Sequence, residues 1–352
     1  MVDRRTVTIQ DVADLASVSI STVSRVVNDT GYPVRPETRR RVLEAIDVLD
    51  FRPNPIARSL VGKPTQTIGL IVPDISNPYY PLLSRGVEDV ASELGYTVFF
   101  CNTDRSAAKA RHYVEVLREK QTDGFIFAGG GLEESGGALL SEEDSGKVVL
   151  IGRHHWPFPS VQVDNARAAR EATCHLIDLG HRSIAFISGP VGLTSARDRL
   201  AGYMQAIEDP GSRVDRSLVW EGDFQAESGY RAAFSLLQGR EAPTAIFAAN
   251  DQMAIAAMAA ACDLGLNVPQ DVAVVGFDDT PAARDVRPAL TTVSLPTYEI
   301  GASAARLLLR LLAGESTEET VWLPTRLVIR QSSGTQVVNV PQVKRRDNKE
   351  EN

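Results

Sequence analysis

The chain has 352 residues, 43% of them hydrophobic and 23% charged, with a net charge of −8. That length exceeds one ordinary compact domain, and the composition excludes a disordered or collagen-like chain. Three cysteines, Cys101, Cys174 and Cys262, stand apart in apolar runs; an odd, scattered set excludes a disulfide scaffold and reads as reduced, buried thiols rather than metal ligands.

The charge is unevenly spread. The first 63 residues carry ten Lys/Arg and eight Asp/Glu, a net +2, which leaves −10 for the remainder. A basic-leaning head on an acidic body is what results when only the head approaches phosphates. The opening MVDRRTVTIQ has no apolar stretch or cleavage site of the secretory kind, and no apolar run is long enough to span a bilayer. A cytoplasmic protein without a membrane span is expected.

In chain order, TIQDVADLA places Ile9, Val12, Ala13 and Ala16 at helical spacing before SVS interrupts the pattern. Ser19 is suited to cap a second helix, whose apolar face is Val23, Val26 and Val27. Two short helices joined by a tight turn predict a helix-turn-helix. A third helix is expected from Pro36, with Glu37 in its first turn and Val42, Ala45, Ile46 and Leu49 facing inward. In FRPNPIARSLVGKP, Asn54 and Pro55 can start a further helix. It is too short to be stable alone in water, so a partner chain or DNA must order it.

After Lys63 the texture becomes repeated strand then helix: TIGLIVP, YTVFFCN, GFIFAGG and KVVLIGR, then SIAFISGP, SLVWEGD, TAIFAAN and DVAVVGFDD. Continuous apolar runs separated by amphipathic helices are the signature of parallel sheets covered on both faces. Two series of four or five strands, divided near VQVDN at 161–165, predict two α/β lobes with a cleft between them. The segment VVNVPQVKRRDNKEEN reads as a frayed tail without leucine heptads.

The head motif TIQDVADLASVSISTVSRVVN resembles that of the lactose-repressor (LacI/GalR) family, and the resemblance continues through NPIARSLVGK, NDQMAIAAM, DVAVVGFDDT, LTTVSLP and LPTRLVIRQSS, roughly residues 6 to 333. It implies an α/β protein with an all-α helix-turn-helix head (1–50), a hinge (51–63), a two-lobed core of parallel sheets like that of periplasmic binding proteins (64–334) and a flexible tail (335–352). Lobe 1 is expected over 64–161 and 292–320, and lobe 2 over 162–291 and 321–334.

The same resemblance implies a transcriptional regulator, most simply a homodimeric repressor on a pseudo-palindromic operator, controlled by a small effector such as a sugar. A helix beginning at Ser19 presents Ile20 and Ser21 to base edges, with Arg25 one turn on and able to reach guanine. By the match, Thr8, Ser24, Asn28 and Thr38 contact phosphates, while Asn54, Ala57 and Leu60 enter the minor groove with Leu60 as an apolar wedge. Arg199, Asn250 and Asp278 match ligand-contacting positions at strand ends, Phe224 matches an aromatic that stacks on a ring, and Asn77, Tyr79, Tyr80 and Asp104 lie in loops expected to face the cleft. One departure stands out: Gly152 replaces an aspartate common in sugar-binding relatives, so that contact is lost or is supplied by Arg153.

No nucleotide-binding glycine motif, nucleophile elbow or metal spacing occurs, and His154 and His155 read as surface histidines. Neither enzyme activity nor a cofactor is expected. The readings left beside the leading one are a regulator of the same fold triggered by a partner protein or a non-sugar metabolite, and, further off, a solute receptor.

Overall fold

The chain divides into two units, Met1–Thr65 and Gln66–Asn352, in a computed structural model that describes residues 7–28, 32–51, 64–129, 139–141, 144–154, 156–209, 214–316 and 319–334. The first unit holds α1 (Ile9–Ala16), α2 (Ile20–Asn28) and α3 (Pro36–Leu49). A reciprocal capping box starts α1: the Thr8 amide donates to Asp11 Oδ2 at 2.7 Å and the Asp11 amide donates to Thr8 Oγ1 at 3.4 Å. Ser17, with φ of 54°, ends it in the left-handed conformation. The Ser19 hydroxyl accepts from the Thr22 amide at 3.2 Å and so starts α2, and Pro36 opens α3. Val12, Ala13, Ala16, Val23, Val26, Val42 and Ala45 meet in a small core that Phe51 closes; Ile9, Val27, Ile46 and Leu49 pack at its rim.

The second unit contains two six-stranded sheets. Strands β1 (Thr67–Val72), β2 (Thr97–Asn102), β3 (Gly124–Ala128), β4 (Val148–Ile151), β5 (Ser160–Gln162) and β11 (Thr320–Trp322) form the first, in the order β11-β5-β4-β3-β1-β2. Strands β6 (Ile184–Ser188), β7 (Val219–Glu221), β8 (Ala245–Ala248), β9 (Ala273–Asp278), β10 (Thr291–Ser294) and β12 (Arg326–Val328) form the second, in the order β12-β10-β9-β8-β6-β7. Every pairing is parallel except β10 with β12. The central strands are buried from end to end, as covering on both faces requires.

The lobe boundaries expected from the sequence need three corrections. A cut at 291/292 splits β10, which pairs with β9 and belongs to the second sheet, so that crossing follows Ser294. A cut at 320/321 splits β11, which pairs with β5 in the first sheet, so that crossing lies between Trp322 and Arg326. The cut at 161/162 splits β5, which pairs with β4 and β11 in the first sheet, so that crossing lies between Gln162 and Asn165, within the expected divide of 161–165. Among the described residues each sheet has six strands rather than four or five, the additional ones, β5, β10, β11 and β12, being three or four residues long. The thiols also differ from expectation: Cys101 is buried, but Cys174 is half-buried and Cys262 exposed, because each lies toward the outer face of its helix. Among the described residues no helix is long and apolar enough to cross a membrane.

Helices pack onto both faces, and one close crossing is between α4 (Tyr79–Glu93) and α11 (Thr297–Leu312) over the first sheet. A Cβ at Gly301 would lie 2.0 Å from the Leu83 carbonyl oxygen, and one at Gly86 would lie 2.1 Å from that of Tyr298. Two backbones touch there, so no side-chain rotation relieves a larger residue. Gly301→Val should therefore cost about 3 kcal/mol or more, the upper range for overpacking, read from urea unfolding; a loss under about 1 kcal/mol would show that the helices separate freely.

Candidate functional site

In the first unit, Ile20, Ser21 and Arg25 lie on the exposed face of α2, opposite Val23 and Val26. The Arg25 guanidinium sits 5.3 Å from the centre of the Tyr32 ring. Ser21 Oγ is 2.8 Å from Ser19 Oγ. Thr8 spends its hydroxyl within the α1 cap, while Ser24 and Thr38 are half-buried. The side chain of Asn28, and Asn54, Ala57 and Leu60 with the rest of 52–63, lie outside the described residues, as do His155 and 335–352.

In the second unit a cavity of about 120 Å³ opens between the lobes. Asn77, Tyr79, Tyr80, Arg153, Arg199, Phe224, Asn250 and Asp278, eight of the nine ligand residues read from the sequence, line it. Arg199 projects from α7 (Thr194–Glu208) and is buried, at 8% exposure. Its Nε donates to Asn165 Oδ1 at 2.9 Å, and Nη1 donates to the Ala249 carbonyl while lying 3.6 Å from Asp278 Oδ1. Its guanidinium also lies 3.7 Å from the centre of the Phe277 ring.

Asn250 caps α9 (Asp251–Asp263), its Oδ1 accepting from the Met253 amide at 3.0 Å. Its Nδ2 donates to the Phe224 carbonyl at 2.9 Å, so the capping residue also fixes the turn that carries the aromatic. Phe224 adopts a φ of 66°, and its ring covers Gly189, where a Cβ would meet it at 2.1 Å. Asp278 and Asp279 follow β9 with φ of 119° and 60°, a conformation that ordinary residues keep only when their surroundings impose it. The buried Asp251 carboxylate does so. It accepts from the Thr280 amide at 2.7 Å, the Thr280 hydroxyl at 3.0 Å and the Thr292 hydroxyl at 2.5 Å, and Arg330 grips Asp279 from the other side.

Burial pushes the Asp278 carboxyl well above the usual carboxylate range, with Arg199 opposing and Asp251 reinforcing. Burial lowers Arg199, with Asp278 opposing. Asp251 is pushed up to about 6 by burial, against its threonine hydrogen bonds. Burial likewise lifts the Tyr79 and Tyr80 hydroxyls, which stay protonated donors.

The first lobe contributes differently. Asn77 Oδ1 accepts from the Tyr79 amide at 3.0 Å and sets the start of α4, and Tyr79 meets Tyr80 edge to face with centroids 5.1 Å apart. Arg153 lines the cavity, but its guanidinium grips Asp198 of the other lobe, with Nε to Oδ2 at 3.0 Å, so it does not replace the aspartate missing at Gly152. Asp104 does not reach the cavity. Lys109 holds its exposed carboxylate below the usual range, helped by Asn102, whose Nδ2 donates at 2.6 Å.

The neighbouring Arg105 is the residue that crosses the cleft, donating to the Asp223 carbonyl and lying 3.5 Å from Asp74 Oδ2. Gln225 Nε2 donates to that same Asp74 oxygen at 2.7 Å. The residues missed are Asn165, Thr194, Ser195 and His154, all on the cavity wall. Asn165 and Thr194 begin helices after a lobe crossing and a strand loop, a positional signal that was available in VQVDN and TSARDRLAGY. His154, read as a surface residue, is half-buried and accepts from the Trp156 amide at 3.2 Å.

Because folding raises the Asp278 pKa, the folded state keeps a proton that the unfolded chain has lost. Its stabilising contribution is full at acid pH and falls as pH rises from the ordinary carboxylate range through the raised value. Asp278→Asn removes that titration, so its stability relative to the parent should rise between about pH 5 and about pH 8, measured by urea unfolding; a pH-independent difference would contradict the buried carboxyl.

Comparison with known proteins gives a consistent result. Residues 8–54 match the model for bacterial regulatory proteins of the lacI family, and residues 173–333 match the periplasmic binding protein-like domain. Catabolite control protein A of Priestia megaterium is 43% identical over 332 residues, 93% of this chain and 99% of that protein. A solved complex of the transcriptional regulator CelR with cellobiose is 34% identical, with a TM-score of 0.68 over 93% of this chain and 99% of that one. The lac repressor dimer bound to operator and the anti-inducer ONPF is 30% identical, with a TM-score of 0.82 over 94% of this chain and 100% of that one.

Proposed function

The chain belongs to the lacI family of bacterial regulatory proteins, and on that premise we propose that this DNA-binding regulator is a homodimeric repressor whose affinity for a pseudo-palindromic operator is set by a sugar held between its two lobes. The observation that carries the effector half is the convergence of Arg199, Asn250 and Asp278, from three separate segments, on one cavity. A guanidinium, an amide and a carboxyl offer donors and acceptors suited to hydroxyls, and Phe224 lines the cavity beside them. A relative solved as a complex with cellobiose supports a carbohydrate effector.

The exposed Ile20, Ser21 and Arg25 support base reading by α2. Phosphate contacts from Thr8, Ser24, Asn28 and Thr38 orient the head, and Asn54, Ala57 and Leu60 form the minor-groove part of the interface. The sugar acts by preferring one arrangement of the lobes, and it shifts operator binding by no more than that preference.

Arg25→Ala should weaken operator binding by about 1–3 kcal/mol and relax discrimination at one base pair per half-site, and Leu60→Ala should weaken it while leaving the thermal unfolding of the protein unchanged. Operator titrations of both variants check this; parental affinity in either removes that residue from the interface. A thermal-shift series of monosaccharides and disaccharides should give a stabilisation of roughly 2.7 kcal/mol at a hundred times the dissociation constant, lost in Arg199→Ala. No shift with any carbohydrate would overturn the sugar effector and leave DNA binding untouched.

A further inference from the structure

Of the three α2 side chains set to meet base edges, one is able to make a paired contact. The Ile20 side chain has no hydrogen-bonding group, and the Ser21 hydroxyl lies 2.8 Å from Ser19 Oγ, a partner within the protein. Arg25 carries a planar fork of N–H donors that fits the two acceptors on the major-groove edge of guanine. Discrimination by this helix therefore falls on where one guanidinium is held. An exposed arginine left to itself samples many rotamers, and restricting it on the DNA subtracts from affinity and specificity alike.

Tyr32 supplies the restriction beforehand. The Arg25 guanidinium lies over the Tyr32 ring, 5.3 Å from its centre. The ring is 69% exposed, too open to water to serve the core of the head. Both ends of the contact are nonetheless tethered to that core. Arg25 precedes the buried Val26, and Tyr32 is two residues before Val34, which packs on the same cluster. Pro33 confines Tyr32 to extended backbone. Ring and guanidinium are thus carried on short arms from one base.

A ring face suits a base-reading arginine because of what it leaves untouched. A carboxylate would occupy the N–H fork and would have to be displaced by the base. An aromatic face attracts the cation through its quadrupole and takes none of its donors.

We propose that Tyr32 is a positioning residue for base reading: its ring holds the Arg25 guanidinium in the orientation that guanine requires, so residue 32 sets how sharply α2 discriminates. This rests on the reading of Arg25 as a base contact and deepens it. At an exposed site such a contact is worth roughly two- to fivefold in the population of the held orientation. The gain is confined to DNA that carries the guanine, because at any other base pair the fork has no paired acceptors to be aimed at.

The test starts with the full-length protein selecting its preferred duplex from a randomised DNA pool, and that duplex is the probe. The parent, Arg25→Ala, Tyr32→Ala, Tyr32→Phe and the double variant Arg25→Ala/Tyr32→Ala are titrated with it and with duplexes in which each base pair of the half-site is changed in turn; thermal melts confirm that every variant is folded. Tyr32→Ala is expected to bind the selected duplex roughly two- to fivefold more weakly per head. It should lose discrimination by the same factor, at the one base pair that Arg25→Ala also relaxes, while Tyr32→Phe behaves as the parent. In the Arg25→Ala background, loss of Tyr32 should change nothing further, an outcome that a separate contact or a structural role does not produce. Equal losses in Tyr32→Phe and Tyr32→Ala would assign the effect to the hydroxyl, and additive losses in the double variant would assign it to an independent contact; either result defeats the positioning role. Tighter binding by Tyr32→Ala would defeat it too, by showing that the ring holds the arginine away from DNA. Parental discrimination in Arg25→Ala would remove the base reading as well, whereas a loss there beside parental discrimination in Tyr32→Ala removes the positioning role alone.

Discussion

Arg199 and Asp278 face each other 3.6 Å apart with both side chains almost wholly out of water, and the cleft side of the second lobe is organised around keeping them there. Burying a guanidinium beside a carboxyl that desolvation favours in its protonated form is costly unless the remaining donors and acceptors are also satisfied. The neighbours meet that condition. Asn165 and the Ala249 carbonyl take guanidinium donors, the Phe277 ring lies flat against its face, and Asp251 pins the unusual turn that aims the carboxyl. Residues far apart in the chain are thereby fixed in one place before any ligand arrives. Loss of one partner leaves the other polar group buried and less well satisfied, so the site and the stability of the lobe are not separable there.

Much of this was legible in the sequence. The long strands announce themselves as unbroken apolar runs because both faces of each sheet are covered, and the helix ends in the head follow from Thr8, Ser19 and Pro36. What failed did so for local reasons. Strands β5, β11 and β12 are three residues long, too short for any period, and exist only because a neighbouring strand is there to pair with them. The crossings after β5, β10 and β11 were misplaced for a similar cause, β10 being only four residues long. Asp104 and Arg105 share a left-handed turn, and nothing in CNTDR tells that Lys109, one helical turn on, captures the carboxylate while the arginine crosses the cleft. Arg153 was placed correctly on the wall, but its commitment to Asp198 depends on a contact 45 residues away.

Among the described residues, polar contacts that span the lobes include Arg153 with Asp198, Gln225 with Asp74, and Arg105 with the Asp223 carbonyl. The charged pair is half-exposed on the arginine side, and pairs of that kind are individually weak. A handful of weak bridges makes a closed arrangement accessible without making it irreversible. Such a balance suits a ligand that has only modest preference for one arrangement, since a small differential affinity then moves the population.

The exchange of strands between sheets also bears on how the protein is made. Synthesis runs from the head onward, yet the first sheet waits for β11 at 320–322 and the second for β12 at 326–328. Until those residues leave the ribosome, β5 and β10 present unpaired edges, the kind of surface on which nascent chains associate wrongly. A message truncated before residue 320 therefore yields a product in which both lobes are incomplete, whereas the helical head, finished some 270 residues earlier at Phe51, is already assembled.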